Sequence, residues 1–366
     1  MRTTSRASRG SRALVFAVAA TTALGLAACN RSSDSDTGSG GEASVGVALI
    51  TKDSTNPFFV AMQNGGKADA AKNNVKLTVA SGKQEGDDQG QITAIEDAIA
   101  RGDKGILITP MSTGVNAAIK KARDAGLYVI ALDTPPDPAD TVDITFATDN
   151  REAGKLIGQW AASQVAGKPA TIALLDLFSD KIVSVDYNRD QGFLEGMGID
   201  VKDGKKNGDE AKTGKYTASG GGDYTIVCNE AGNGAEDGGR SAMEKCLAKN
   251  PNINVVYTIN EPTAVGANAA LKAAGKTATI VSVDGGCAGV ASVKSGVIGA
   301  TAQQYPLKMA TEGMAAIATV ARGGEKPKPD TGLDFKNTGV ALVTDKPAEG
   351  VKSITADEGS KICWGN

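Results

Sequence analysis

Short apolar runs alternate along this chain with longer stretches whose apolar positions recur three or four residues apart. Residues 45–50 form a run of strand type, and over 59–73 the positions Phe59, Met62, Gly66 and Ala70 keep helical spacing. The same alternation predicts strands at 77–80, 105–109 and 128–132, with helices at 89–101 and 114–125 between them. It resumes after Asn150 with helices at 152–166, 239–249 and 262–274, and a further helix starting at 190. Strands are predicted at 170–175, 224–228, 255–259 and 279–283. This β-α-β-α rhythm implies parallel sheets covered by helices on both faces. The Lys/Gly/Asp-rich stretch 201–222 reads as a surface loop.

An internal repeat sharpens the picture. Residues 106–133 and 256–284 each read strand, polar loop, helix, strand, and each ends in an aspartate, Asp133 or Asp284. Gly-Val-Asn-Ala-Ala-Ile-Lys in the first echoes Gly-Ala-Asn-Ala-Ala-Leu-Lys in the second. Open parallel sheets bind ligands beyond the carboxyl ends of their strands. The two aspartates are therefore expected to face one cleft from two like lobes.

Composition changes the picture at the amino terminus. Arg2, Arg6, Arg9 and Arg12 precede a sixteen-residue apolar stretch, 13–28, which is shorter than the about 20 residues a membrane span needs. Leu26-Ala27-Ala28-Cys29 closes it and resembles the lipobox of bacterial lipoproteins, which makes Cys29 the candidate lipidation site. Residues 1–29 are read as a signal peptide and 30–42, rich in Ser, Gly and Asp, as a flexible tether. The body is then exported and held at the outer face of the cell membrane by lipid alone. Without those four arginines the balance is 35 basic to 42 acidic residues, which argues against nucleic acid as a partner. The chain has no histidine, which removes His-based triads, acid–base catalysis and zinc ligation. No cofactor or metal is expected. Cys228, Cys246, Cys287 and Cys363 allow three disulfide pairings; Cys228–Cys246 and Cys287–Cys363 are preferred, the second tying down the carboxyl terminus.

The candidate ligand residues stand at predicted strand ends. Lys52, Asn56, Phe58 and Phe59 follow the first strand, Asp133 the fourth, and Asn150 the end of the first half. Arg189, Asn260, Asp284 and Gln304 fall in the second half. Planar Asp, Asn, Gln and Arg side chains suit the paired hydroxyls of a sugar, and flat aromatic rings suit its C–H faces. Singly, each is as readily a cap, a turn or a core residue: Asn56 is an N-cap type before Pro57, and one of the two phenylalanines is expected in the core.

Taken together, Ser54-Thr55-Asn56-Pro57-Phe58-Phe59, Val129-Ile130-Ala131-Leu132-Asp133, Ala147-Thr148-Asp149-Asn150, Tyr257-Thr258-Ile259-Asn260-Glu261, Val281-Ser282-Val283-Asp284-Gly285 and Thr301-Ala302-Gln303-Gln304-Tyr305-Pro306 resemble the ribose-, allose- and fructose-binding group of periplasmic solute-binding proteins. The resemblance covers roughly residues 43–344. It implies two similar Rossmann-like α/β lobes with a three-strand hinge, a type I periplasmic binding protein. The lobes would be 43–149 with 305–329, and 150–304 with 330–366. A monosaccharide would lie between them, with Asn56, Asp133, Asn260, Asp284 and Gln304 in polar contact and Phe58 and Phe59 stacked on it. Lys52 matches a lysine of allose-binding relatives, and Asn150 and Arg189 complete the set.

Thr134 stands where ribose-binding members carry arginine, and Tyr187 replaces one of two arginines, so a ribose pocket is not reproduced. The stretches 189–193 and 260–262 lean towards the fructose-binding subgroup. The implied role is a monomeric binding lipoprotein that delivers sugar to the permease and ATPase subunits of an ABC importer and catalyses nothing. A receptor subunit for chemotaxis or signalling shares every one of these features. A repressor of the same fold would need a DNA-binding segment in place of the export signal. An exported carbohydrate-active enzyme is the remaining alternative, although no G-x-G-x-x-G after a strand, P-loop or G-x-S-x-G occurs.

Overall fold

The computed structural model describes residues 44–365. Cys29 and the tether lie outside the described residues. The first half builds β1 (Val45–Thr51), α1 (Pro57–Ala70), β2 (Val75–Ser81), α2 (Asp88–Arg101), β3 (Gly105–Ile108), α3 (Asn116–Asp124), β4 (Tyr128–Leu132) and β5 (Ile144–Ala147). The second builds α4 (Asn150–Val165), β6 (Ala170–Asp176), α5 (Ser184–Met197), β7 (Thr213–Tyr216), β8 (Gly222–Ala231), α6 (Glu236–Lys249), β9 (Val255–Thr258), α7 (Glu261–Ala273), β10 (Thr279–Asp284), α8 (Cys287–Lys294) and β11 (Ala300–Gln303). The chain ends with α9 (Pro306–Ala321), β12 (Lys336–Asn337), β13 (Ala341–Val343) and α10 (Ala356–Gly359).

Two open sheets result, ordered β12-β5-β4-β3-β1-β2 and β13-β11-β10-β9-β6-β8-β7. Every pairing in the first is parallel; in the second only β7 and β13 run antiparallel, at the two edges. The central strands are buried on both faces, which is why they read as continuous apolar runs rather than alternating ones. Met62, Met314 and Ile317 from α1 and α9 cover one face of the first sheet, and Ile95 and Ile119 from α2 and α3 the other. Trp160 and Phe193 of α4 and α5 cover one face of the second sheet, and Met243, Leu271 and Val290 of α6, α7 and α8 the other.

The chain crosses between the sheets three times: after β5, after β11, and between β12 and β13. This is the two-lobed architecture expected from the sequence, with three adjustments. Lys336 and Asn337 still pair with β5, so the last crossing comes after Asn337 and not at 330. The 201–222 stretch is also more ordered than a surface loop: Thr213–Tyr216 pairs antiparallel with β8, and Glu210 is buried. Tyr216, apolar-faced and fully buried, anchors this edge strand in the core. Helix α5 begins at Ser184 and not at 190, so Arg189 sits in its second turn.

Two glycines set where that turn lies. A Cβ on Gly154 would stand 2.2 Å from the Arg189 carbonyl oxygen, and one on Gly192 2.3 Å from that of Arg151. Any side chain there would push α5 off α4 and carry Arg189 away from the strand ends. Both cysteine pairs form as preferred from the sequence, Cys228–Cys246 joining β8 to α6 and Cys287–Cys363 joining α8 to the carboxyl terminus.

Candidate ligand-binding cleft

The carboxyl ends of both sheets converge on one cavity. Lys52, Asn56, Phe58, Phe59, Asp133, Arg189, Asn260, Asp284 and Gln304 border it. Asn150 stands one layer back. Its Oδ1 accepts from Arg189 Nε at 2.7 Å, and its Nδ2 donates to the Thr148 carbonyl at 3.2 Å. Glu85, Leu177, Val185 and Ile259 also border the cavity and were not singled out in the sequence. A wider groove lies at the opposite, amino-terminal ends of β3 and β4, lined by Lys104, Arg123, Tyr128 and Lys326; it is open to solvent and brings none of the candidate residues together.

The loop after β1 is shaped by Asp53, whose Oδ1 accepts from the backbone amides of Thr55 and Asn56, each at 2.7 Å. Asn56 then caps α1, its Oδ1 accepting from Phe58 N at 3.0 Å. Capping and cavity-lining are thus combined in one side chain, because the helix starts at the cleft wall. Phe58 and Phe59 are both buried, edge to face, with centroids 5.3 Å apart. Trp364 braces Phe58 from behind, also edge to face at 5.3 Å, and its Nε1 donates to the Gln304 carbonyl at 2.8 Å. The disulfide at the neighbouring Cys363 fixes that brace. The only sequence signal for it was a tryptophan beside a cysteine in a chain poor in aromatics.

The repeat-related aspartates do occupy equivalent places. Asp133 follows β4 with φ 63°, and Asp284 ends β10 with φ 144°, both on the side of backbone space that favours glycine. Such strain is held only where surrounding bonds over-determine it. Asp133 donates its amide to the Phe146 carbonyl at 2.9 Å, and its Oδ2 accepts from Thr134 Oγ1 at 2.8 Å. Asp284 is held by Gln304, whose Nε2 donates to Oδ1 at 2.9 Å and whose backbone amide donates to the Asp284 carbonyl at 2.9 Å.

The turn after Asp284 is locked by Glu261, which accepts from the amides of Gly285 and Gly286 at 2.8 and 3.1 Å and from Thr301 Oγ1 at 2.8 Å. The place of Glu261 after a capping Asn and before Pro262 is the sequence signal for a helix-start carboxylate that reaches back to the next strand. Asn260 itself caps α7, accepting from Thr263 N at 3.1 Å and donating to the Gly234 carbonyl at 2.9 Å.

Arg189 ties the two sheets together at the cavity floor. Its Nη1 donates to the Ile259 carbonyl at 3.0 Å, and its Nη2 lies 3.7 Å from Asp133 Oδ1. Lys52 pairs with Glu85 at 3.1 Å. Burial raises the Glu85 pKa and Lys52 pulls it back. Burial pushes Asp284 up to about 6, against the opposing pull of Arg189 and Gln304, and pushes Glu261 up to about 8, helped by the Asp284 charge. Two buried oxygens on the cavity wall have no hydrogen-bond donor, Asp133 Oδ1 and Gln304 Oε1, and a third, Glu85 Oε1, meets only the poorly aligned Lys52 ammonium. Among the described residues no cluster of His, Cys, Asp or Glu is arranged to hold a metal ion, and no helix is long and apolar enough to cross a membrane.

Residues 47–326 match the model of the periplasmic binding protein domain family. The chain is 27% identical over 292 residues to the ribose import binding protein RbsB of Salmonella typhimurium, covering 79% of this chain and 89% of that one. It is 31% identical over 218 residues to the galactofuranose-binding protein YtfQ of Escherichia coli, covering 58% and 61% of the two. Among solved structures, a galactofuranose binding protein superposes with a TM-score of 0.71 at 24% identity, covering 87% of this chain and 97% of that chain. With two parallel-sheet lobes, three crossings and a cleft at the strand ends already in place, the chain belongs to the periplasmic binding protein domain family.

Proposed function

We propose that this protein captures an uncharged monosaccharide between its two lobes and hands it to the permease and ATPase subunits of an ABC importer. The observation that carries the reading is the pair of donor-less buried oxygens, Asp133 Oδ1 and Gln304 Oε1, facing one cavity beside two aromatic rings and the Lys52–Glu85 pair. Buried acceptors without donors are costly, and a polyol supplies hydroxyl donors in the number and directions required. Phe58 and Phe59 would take the ring's C–H face. The relatives named above are named as binding proteins for ribose and galactofuranose, which supports a sugar of pentose or hexose size; the subgroup lean makes fructose the first candidate.

Asp133, Asp284, Gln304 and Glu85 would bind hydroxyls directly, while Asn150 would hold Arg189 in place. Cys29 would carry the lipid that anchors the exported protein. Loss of fatty-acid labelling in cells on Cys29→Ala checks that anchor.

The reading is tested by calorimetry on purified protein freed of carried-over ligand by unfolding and refolding. Fructose, ribose, allose, galactose, xylose, glucose and myo-inositol form the panel. One-to-one binding of at least one sugar supports it. No heat across the panel from a folded sample contradicts it. Release of chromophore from nitrophenyl glycosides would point instead to an exported enzyme.

A further inference from the structure

We propose that the Lys52–Glu85 pair is the selectivity element of this cleft: one ligand hydroxyl bridges it, and Glu85 excludes sugars that carry a carboxylate or a phosphate. The inference rests on the sugar-binding reading above. Lys52 ends up buried just past β1, only 2% exposed, and Glu85 comes from the loop between β2 and α2. Their 3.1 Å ion pair is the one polar contact either side chain makes among the described residues. A lysine ammonium has three donors, and here only one is engaged. Glu85 Oε1 is buried without a well-aligned donor. A hydroxyl can accept from the ammonium and donate to the carboxylate at once, so it satisfies both groups without adding charge.

An anionic ligand meets the opposite situation. The cavity wall carries two cations, Lys52 and Arg189, against three carboxylates, Glu85, Asp133 and Asp284. Both cations already face one of those carboxylates. Behind the wall stand further buried acids, Asp186 on α5 and Glu261 on α7. A carboxylate or phosphate entering this space would take Lys52 from Glu85 and leave Glu85 buried against a like charge.

The test titrates the full chain with the best-binding neutral hexose or pentose and with the matching acid, in which the terminal CH₂OH is replaced by carboxylate, at pH 7.5. The wild type is expected to bind the acid at least about a hundredfold more weakly, since a misplaced buried charge costs more than a hydrogen bond. Glu85→Gln should weaken the neutral sugar about tenfold or more and narrow the neutral-to-acid ratio. Glu85→Asp, which keeps the charge, should preserve that ratio even if both affinities fall. Equal wild-type binding of the two ligands, or a ratio that Glu85→Gln leaves unchanged, overturns the inference while the sugar reading stands. A wild type that binds no monosaccharide overturns the sugar reading and this inference with it.

Discussion

Two groups of buried carboxylates occur in this protein, and they are built differently. Asp133 and Asp284 sit at strand ends, on strained backbone, each facing a polar side chain: Arg189 Nη2 lies 3.7 Å from the first, and Gln304 Nε2 donates to the second. Asp176, Asp186, Asp190 and Glu210, the middle two on α5, are buried and do not border the cavity. Burial pushes Asp190 up to about 8, with Glu210 and Asp186 adding to the effect, and Asp186 up to about 6; Asp176 is raised well above its ordinary range by burial and by both neighbours. Burial alone therefore does not mark a site. What separates the cleft is that its donor-less oxygens open onto an aromatic-walled space, whereas the inner group does not border that cavity.

The sharpest break between the groups is by substitution. Asp284→Ala removes an acceptor from the cavity and frees Gln304, and is expected to weaken sugar binding by about a hundredfold or more. Asp190→Asn should leave affinity within about threefold, because Asp190 does not border the cavity. Calorimetric titration of both variants decides this. Comparable losses in the two would erase the distinction.

Next in size is the carboxyl-terminal tie. Cys287–Cys363 closes a span of 76 residues, and its removal by paired serine substitutions is expected to cost about 4 kcal/mol by chain entropy, against about 3 for the 18-residue Cys228–Cys246 span. Only the first should also lower sugar affinity, because it holds the Trp364 brace on Phe58 and Gln304. Chemical denaturation read beside titration separates the two effects.

The inner group should reveal itself through pH. A carboxyl whose pKa is raised in the fold binds its proton more tightly there than in the unfolded chain. Its contribution to stability is full below about pH 4 and is lost as pH rises through the folded value. For Asp190 and Glu261 that window runs up to about 8, and for Asp186 up to about 6. The melting temperature is therefore expected to be higher at pH 5.5 than at pH 8.5, and Asp190→Asn should flatten the slope. A melting temperature that rises across this interval would contradict the assignment. The smallest effect belongs to Trp364→Phe, which keeps the ring on Phe58 but deletes the bond to the Gln304 carbonyl. About 1 kcal/mol of stability and a few-fold loss of affinity are expected.

How much of this was legible in the sequence follows from the same contrast. The lobes could be read because parallel strands buried on both faces leave long apolar runs, and because the repeat ending in Asp133 and Asp284 announced two equivalent strand ends. The site residues were legible where a strand end, a cap or an aromatic pair marked them, as at Asn56, Phe58 and Asn260. Glu85 was not, since it lies in a polar loop where an acid is unremarkable and only the fold brings it to Lys52. Trp364 was not, since its contacts are 60 residues and more away in the chain. The 201–222 stretch misled because its Lys and Gly content masks the one buried anchor, Tyr216.

The most direct test of the central claim is a crystal structure of the protein with its tightest-binding neutral sugar. The account predicts the ring against Phe58 and Phe59, with ligand hydroxyls within hydrogen-bond distance of Glu85 Oε1, Asp133 Oδ1 and Gln304 Oε1. A sugar seated elsewhere, or one in this cleft whose hydroxyls reach none of those three oxygens, would contradict it.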